Sequence, residues 1–118
     1  MLLYNGENNM PAIIKFKYIP VEGQEFVTLQ QWVETTLTPA EKEEFTQAVA
    51  RMKIQQDLQI ENGNILSKNP ISDSETSVVW KDQTTREENT TQDSVWLSYF
   101  DRWVSATGTA LEVIETIE

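Results

Sequence analysis

A strongly aromatic segment near the C-terminal end constrains the fold more than any other part of the chain. Between Thr90 and Gly108, large apolar side chains recur in steps of three and four, the spacing of one helix face. These side chains are Trp96, Leu97, Tyr99, Phe100, Trp103 and Val104. Thr90 with Asp93 three residues later predicts an N-terminal capping box, and Gly108 predicts the helix end. Because no other segment has comparable apolar bulk, we expect the core to form against this helix.

Three further segments have the composition of β-strands. In the segment Pro11–Pro20, one face carries the apolar residues Ile14, Phe16 and Tyr18, and the other carries Ile13, Lys15, Lys17 and Ile19. Prolines bracket this segment at both ends. Ser77–Lys81 is rich in β-branched and aromatic residues. Ala110–Glu118 fits either a helical face or a strand, and its β-branched residues together with the preceding glycine favour a strand.

Two capping patterns predict the first helices. Thr28 with Gln31 predicts a short helix, and Thr38–Glu41 combines an N-cap threonine, a proline at the first helical position and a glutamate at the third. The second helix is expected to continue to Glu61 and to end at Gly63, and a strand is expected directly after this glycine. A hairpin turn at Asn62-Gly63 is the alternative for this region. We expect Ser67–Thr76 to be a polar connector and Asp82–Thr91 to be a loop or a frayed helical turn.

Length and composition indicate one soluble domain. With 118 residues, the chain has the size of a single domain, which we place at residues 11–118 after a flexible extension at residues 1–10. It contains no cysteine and no histidine, so thiol nucleophiles, histidine bases and Cys/His metal sites are excluded. Its four glycines stand alone, without a phosphate-binding pattern. We therefore expect no cofactor, no metal and no catalytic residue.

The net charge of −10 makes direct binding of nucleic acid unfavourable, because both surfaces are anionic. No apolar run is long enough to span a membrane, and the first residues lack a signal-peptide pattern. The absence of cysteine suits a reducing cytoplasm, which would be the host cytoplasm for a phage protein. The Thr-, Asn- and Gln-rich composition is typical of many small viral or phage-encoded proteins.

The order of the main elements predicts an α+β fold of the ferredoxin-like βαββαβ type. In this fold an antiparallel sheet of four strands carries its two long helices on one face. The other face would be partly apolar, which is costly in water and typical of a protein interface. We therefore expect a homodimer joined through that face. The interface residues predicted by strand alternation are Ile13, Lys15, Ile19, Val79, Lys81 and Ile114.

The chain resembles the dimeric α+β-barrel branch of ferredoxin-like proteins. In that group a strand similar to Ser77–Asp82 is followed by a helix rich in aromatic residues, as Trp96–Phe100 is here. The resemblance implies two sheets packed face to face in a dimer. Many enzymes of the group use a histidine, or an asparagine with aromatic residues, in a pocket between helices and sheet. This chain has no histidine, and none of its asparagines aligns with a catalytic position, so the resemblance assigns no site residue.

Three functional hypotheses follow from these observations. The first is a non-enzymatic interaction or assembly protein that acts through its surfaces and through self-association. The second is a small cofactor-independent enzyme or ligand-binding protein of the dimeric-barrel type, which requires an enclosed pocket. The third is an acidic inhibitor that mimics nucleic acid and occupies a basic groove of a host protein. The missing reactive side chains and the partly apolar sheet face favour the first.

Overall fold

The computed structural model describes residues 10–90 and 93–117. These residues form the expected α+β class of fold, with an open antiparallel sheet of four strands and with four helices. The elements are β1 (Ala12–Ile19), α1 (Leu29–Thr36), α2 (Pro39–Glu61), β2 (Ile65–Ser72), β3 (Glu75–Trp80), α3 (Gln83–Asn89), α4 (Ser94–Thr107) and β4 (Ala110–Ile117). Apart from Met10, the expected N-terminal extension lies outside the described residues.

The sheet has the strand order β2-β3-β1-β4, and every neighbouring pair is antiparallel. Ile14 on β1 lies opposite Val78 on β3 and Glu115 on β4. Residues directly opposite each other point to the same face. The face that carries Ile14 also carries Tyr18, which contacts α4, and we call it the helix face. The opposite side of the sheet is the reverse face.

Local signals correctly predicted where α1 and α2 begin. Both Thr28 and Thr38 form capping boxes. At the start of α2, Thr38 Oγ1 accepts from the Glu41 backbone N–H at 3.2 Å, and Glu41 Oε1 accepts from the Thr38 N–H at 3.0 Å. These contacts satisfy two N–H groups that a helix terminus otherwise leaves unpaired.

The two ambiguous segments resolve as the favoured interpretations. Helix α2 runs to Glu61, and Gly63 has a φ of 79° just past its end. β2 follows at Ile65, so the hairpin alternative at Asn62-Gly63 is wrong. The segment Ala110–Ile117 is a strand that pairs with the whole of β1.

Three predictions near the middle of the chain are wrong. The expected polar connector is mostly strand, because β2 continues to Ser72 and pairs with β3 despite its polar composition. The segment after Trp80 contains a regular helix, α3, whose N-cap Asp82 accepts from the Thr85 N–H at 2.7 Å. Helix α4 begins with Asp93 as its N-cap rather than Thr90. In each case a side-chain cap or a cross-strand pairing overrides the propensity of the segment.

The buried residues form two clusters rather than the single layer expected between helices and sheet. The first contains the aromatic residues of α4 with parts of α1 and α2, and it reaches the sheet through Tyr18, whose ring centroid lies 5.3 Å from that of Trp103. The second consists of Ala12, Ile14, Ile65 and Trp80. Phe45 packs on Tyr99 in the first cluster, with ring centroids 5.9 Å apart. Helix α2 is long enough for its first half to contact α4 while its second half lies beside the sheet.

Candidate functional site

Four of the predicted interface residues adjoin on the reverse face. Ile13 lies opposite Val79, and Lys15 lies opposite Ile114. Because Ile13 and Lys15 are two residues apart on β1, they point to the same side of the sheet. The alternation of side chains along a strand therefore assigned this set to one face correctly.

The remaining two predicted residues lie at the ends of this face. Ile19 occupies the last position of β1, opposite Ala110, and 39% of its surface is exposed. Lys81 follows the last residue of β3 and is exposed. The reverse face is therefore mixed: Ile13, Val79 and Ile114 form an apolar patch toward the Ala12 end of β1, whereas Lys15 and Lys17 occupy the middle of that strand.

The helices leave the reverse face uncovered in the described part of the chain. The two hydrophobic clusters draw on the sheet only through side chains of the helix face and through Ile65 at the start of β2. Those helix-face residues are Ala12, Ile14, Phe16, Tyr18, Val78 and Trp80. On the reverse face, Ile114 remains 42% exposed. An apolar surface of this kind is typical of a contact with another protein.

The charges on the strands of the reverse face balance each other. Lys15 Nζ lies 3.0 Å from Glu75 Oε2. Lys17 lies opposite Glu75 on one side and Glu112 on the other. Two lysines and two glutamates make these strands electrically neutral in a chain whose net charge is −10. The strands of this face therefore carry no net charge, whereas the rest of the protein is strongly negative.

A cavity of about 300 Å³ lies on the other side of the sheet, between its helix face, the second half of α2 and the end of α3. Its apolar lining includes Phe16, Met52, Val78, Trp80, Leu111 and Val113. Two cations also line it. Lys68 Nζ donates to Gln56 Oε1 at 2.7 Å, whereas Arg86 forms an ion pair with Glu115. Sequence patterns did not predict this cavity, because it depends on how a helix is placed against a distant pair of strands.

A group of polar contacts fastens α2 to α4. The Tyr99 hydroxyl donates to Glu44 Oε1 at 2.5 Å, and Arg102 Nη1 donates to Glu41 Oε2 at 3.0 Å. The hydrogen bond to Glu44 is the main reason why the pKa of Tyr99 is raised to about 12. The Tyr99 hydroxyl therefore keeps its proton and acts as a hydrogen-bond donor to Glu44. The acidic start of α2 therefore holds α4 through Glu41 and Glu44.

Arg102 also makes the cation–π contacts of this region. Its guanidinium carbon lies 5.3 Å from the ring centroid of Tyr99 and 5.7 Å from that of Trp32. Successive residues on a helix point in different directions, so Arg102 meets Tyr99, three residues earlier, rather than its neighbour Trp103. The three-residue spacing between Tyr99 and Arg102 is the sequence signal that would have identified Tyr99 as the cation–π partner.

Comparisons with protein-family models, with curated proteins and with solved structures found no match. Among residues 10–90 and 93–117, no three His, Cys, Asp or Glu side chains come together as metal ligands would. No helix within the same residues has both the length and the apolar composition that crossing a membrane requires. We therefore infer function from the reverse face and from the cavity.

Proposed function

We propose that this protein is a non-enzymatic assembly subunit that associates with a second copy of itself through the reverse face. The observation that carries the proposal is a sheet face that residues 10–90 and 93–117 leave uncovered, with an apolar patch at Ile13, Val79 and Ile114 and with strand charges that cancel. Burying Ile13, Val79 and Ile114 against the same residues of a second copy would remove apolar surface from water. Each buried Val or Ile side chain is worth about 1.5–3 kcal/mol when it is fully removed from water.

Electrostatics favours a second copy at this face over a contact elsewhere on the surface. Two copies with a net charge of −10 each repel at most points of approach. On the reverse face, Lys15 and Lys17 offset Glu75 and Glu112, so the strands of two such faces meet without excess negative charge. A two-fold arrangement can also place the lysines of one copy near the glutamates of the other.

The size of the sheet is sufficient for a stable contact. Four strands about 4.8 Å apart and about 26 Å long present a projected area on the order of 500 Å². Two such faces together reach on the order of 1,000 Å², the lower bound for a biological interface. Contributions from loops at the ends of the strands would add to this area.

The strand order supports the more detailed proposal of a ferredoxin-like subunit in a face-to-face dimer. β1 and β2 flank β3, while β3 and β4 flank β1. With α2 and α4 as the crossovers, this is the arrangement of two interleaved split βαβ units. Helices α1 and α3 are then additions to the basic pattern.

Reversing one charge tests the reverse face with little disturbance of the fold. Lys15→Glu turns a neutral face into one with an excess of negative charge, whereas Lys53→Glu makes the same change in net charge on an exposed part of α2. Each lysine has one carboxylate partner at a similar distance: Lys15 pairs with Glu75 across two strands at 3.0 Å, and Lys53 pairs with Asp57 within α2 at 3.1 Å. We expect Lys15→Glu to lower the number of copies per particle in sedimentation equilibrium and Lys53→Glu to leave it unchanged.

The proposal is wrong if the unmodified chain is monomeric at micromolar concentration. It is also wrong if both charge reversals change the particle mass equally, because that result would report net charge rather than this face. Circular dichroism of each variant verifies that the fold is retained. Raising the salt concentration should partly restore association of Lys15→Glu, since salt screens exposed charges.

The cavity favours a second function, the binding of a small apolar carboxylate. Its volume of about 300 Å³ is at the lower end for small-molecule sites. Lys68 lines it and has no carboxylate within 4 Å among the described residues, so its ammonium can pair with a ligand. Decanoate should change the fluorescence of Trp80 saturably, and Lys68→Gln should weaken that binding while Lys53→Gln does not. A linear, unsaturable response would exclude this function.

A further inference from the structure

Strand β4 forms one edge of the sheet, and its outer side is unpaired in the described residues along all eight positions. All eight residues of the strand are exposed, including Leu111, Val113, Ile114 and Ile117, which are each at least 42% exposed. β4 is the last strand in the sheet order, so only one of its two edges is paired by residues 10–90 and 93–117. A regular, apolar edge strand offers a row of unpaired N–H and C=O groups to another strand.

The backbone pairing shows which residues of β4 face the open edge. The Tyr18 N–H donates to the Ser74 carbonyl at 2.8 Å, on the β3 side of β1. Alternate residues of a strand direct their backbone groups to opposite edges, so Lys15 and Lys17 direct theirs to β4. Their partners, Ile114 and Glu112, are thus the hydrogen-bonded residues of β4. The residues between and beyond them, at positions 111, 113, 115 and 117, direct their N–H and C=O groups outward.

The two edges of the sheet differ in how strongly they resist pairing with a further strand. At the other edge, β2 contains Pro70 and Lys68, and its pairing with β3 shifts register twice, between Ile65 and Ser67 and between Pro70 and Ser72. Proline, lysine and irregular register all hinder the addition of a further strand. β4 has none of these features, and it pairs with β1 in one unbroken register from Ala12 to Ile19.

We propose that β4 pairs antiparallel with β4 of a second copy about a two-fold axis at Ile114, which joins two sheets into one. In this register Val113 lies opposite Glu115, Leu111 opposite Ile117 and Glu112 opposite Thr116, while Ile114 lies opposite its own copy. All four residues with outward backbone groups then find partners. The pairing also places apolar residues opposite each other at the centre and at both ends.

The charges of β4 favour its own copy as the partner. Residues opposite each other across two antiparallel strands share a face, and Glu112 and Glu115 lie on different faces. The two glutamates therefore never oppose each other in a two-fold pairing. Each also has a cation on its own chain, since Glu112 lies opposite Lys17 and Glu115 pairs with Arg86. Because Ile114 also belongs to the reverse face, the two proposals are separated by Lys15→Glu, which alters a side chain of that face only, and by Val113→Pro, which alters the outward edge of β4 and lies on the helix face.

Single cysteines test the register, because the natural chain contains none. Across the open edge Ile114 would form a non-hydrogen-bonded pair with its own copy, with Cα atoms about 4.5 Å apart, within the span of a disulfide. Glu112→Cys is the matched control on the same face, because its two copies would be about 14 Å apart. Disulfides can also bridge sheets packed face to face, so the edge pairing further requires that Val113→Pro, on the helix face, abolish the Ile114→Cys disulfide. We expect Ile114→Cys to form a disulfide-linked dimer under mild oxidation and Glu112→Cys to remain unlinked.

Equal cross-linking of the two variants, or no cross-linking of Ile114→Cys, would overturn this pairing. A second variant keeps the test independent of disulfide geometry. Val113→Pro removes an outward N–H without removing a bond to β1, whereas Val113→Thr retains that N–H. We expect Val113→Pro to halve the number of copies per particle while its circular dichroism stays that of the natural chain. If Val113→Pro has the same particle mass as the control Val113→Thr, the proposal is contradicted.

Discussion

At the scale of single residues, Asp93 connects two helices through one carboxylate. Its Oδ1 accepts from the backbone N–H groups of Val95 and Trp96 at 3.0 and 3.2 Å, so it caps α4. Its Oδ2 lies 2.7 Å from Nε of Arg51 on α2. The hydrogen bond from Arg51 is the main reason why the pKa of Asp93 falls to about 2 from its usual value of 3.8.

This shift predicts a specific loss of stability in acid. The folded protein holds Asp93 ionised more strongly than the unfolded chain does, so the contribution is complete above the usual pKa of 3.8 and is lost as the pH falls toward about 2. Asp93→Asn keeps a good N-cap but removes the charge. We expect its free energy of unfolding to depend less on pH between pH 4 and pH 2 than that of the natural chain.

Urea unfolding at a series of pH values measures this dependence. Asp57→Asn is the control, because it removes a carboxylate from an exposed pair within α2. We expect this control to follow the natural chain in acid. If Asp93→Asn and the natural chain lose stability in parallel as the pH falls, the ion pair with Arg51 does not contribute as the geometry implies.

At the scale of elements, the sequence was informative wherever a local contact decides the structure. The capping boxes at Thr28 and Thr38 and the terminal glycines at positions 63 and 108 are complete within a few residues, and each appears as expected. The segment β2 is different, because its polar residues become a strand only when β3 lies beside them. Its backbone hydrogen bonds come from a partner that the local sequence does not describe.

The same distinction applies to the candidate site. Alternation along β1 and β3 was enough to place Ile13, Lys15 and Val79 on one face. The cavity and the contacts between α2 and α4 were not predictable, because residues such as Glu44 and Tyr99 are 55 positions apart. Their meeting depends on the angle at which two helices pack, and periodicity within each helix does not determine that angle.

The end of α4 provides a test at the same scale. Gly108 has a φ of +70°, and a Cβ atom added there would lie 2.6 Å from Cγ2 of Val21. Gly63 ends α2 with a φ of +79° but has open space where a Cβ atom would lie. Both Gly108→Ala and Gly63→Ala should therefore cost about 1–2 kcal/mol for the left-handed backbone. We expect Gly108→Ala to be the more destabilising in urea unfolding, and equal losses would show that Val21 moves aside freely.

At the scale of the whole molecule, the chain is less compact than its length predicts. Its radius of gyration is 16.4 Å, compared with about 13.5 Å for a compact domain of 118 residues. Its extents of 57 × 32 × 19 Å describe a flat, elongated body. Such a body encloses less apolar surface than a sphere, in keeping with two separate clusters and with the exposure of the reverse face and β4 among residues 10–90 and 93–117.

A flat subunit with an apolar neutral face and an open edge is suited to assembly with copies of itself. Pairing at the reverse face would give the sheet a second apolar layer, and pairing at β4 would extend it sideways. The two contacts use different surfaces, so together they can build a particle of four copies with closed symmetry. Neither contact requires a reactive side chain.

The molar mass of the unmodified chain in solution tests this account most directly. Sedimentation equilibrium at micromolar concentration should give at least twice the 13.6 kDa of the single chain, with Lys15→Glu giving fewer copies per particle. A single species of 13.6 kDa across that concentration range would contradict the account, because both uncovered surfaces would then be stable in water.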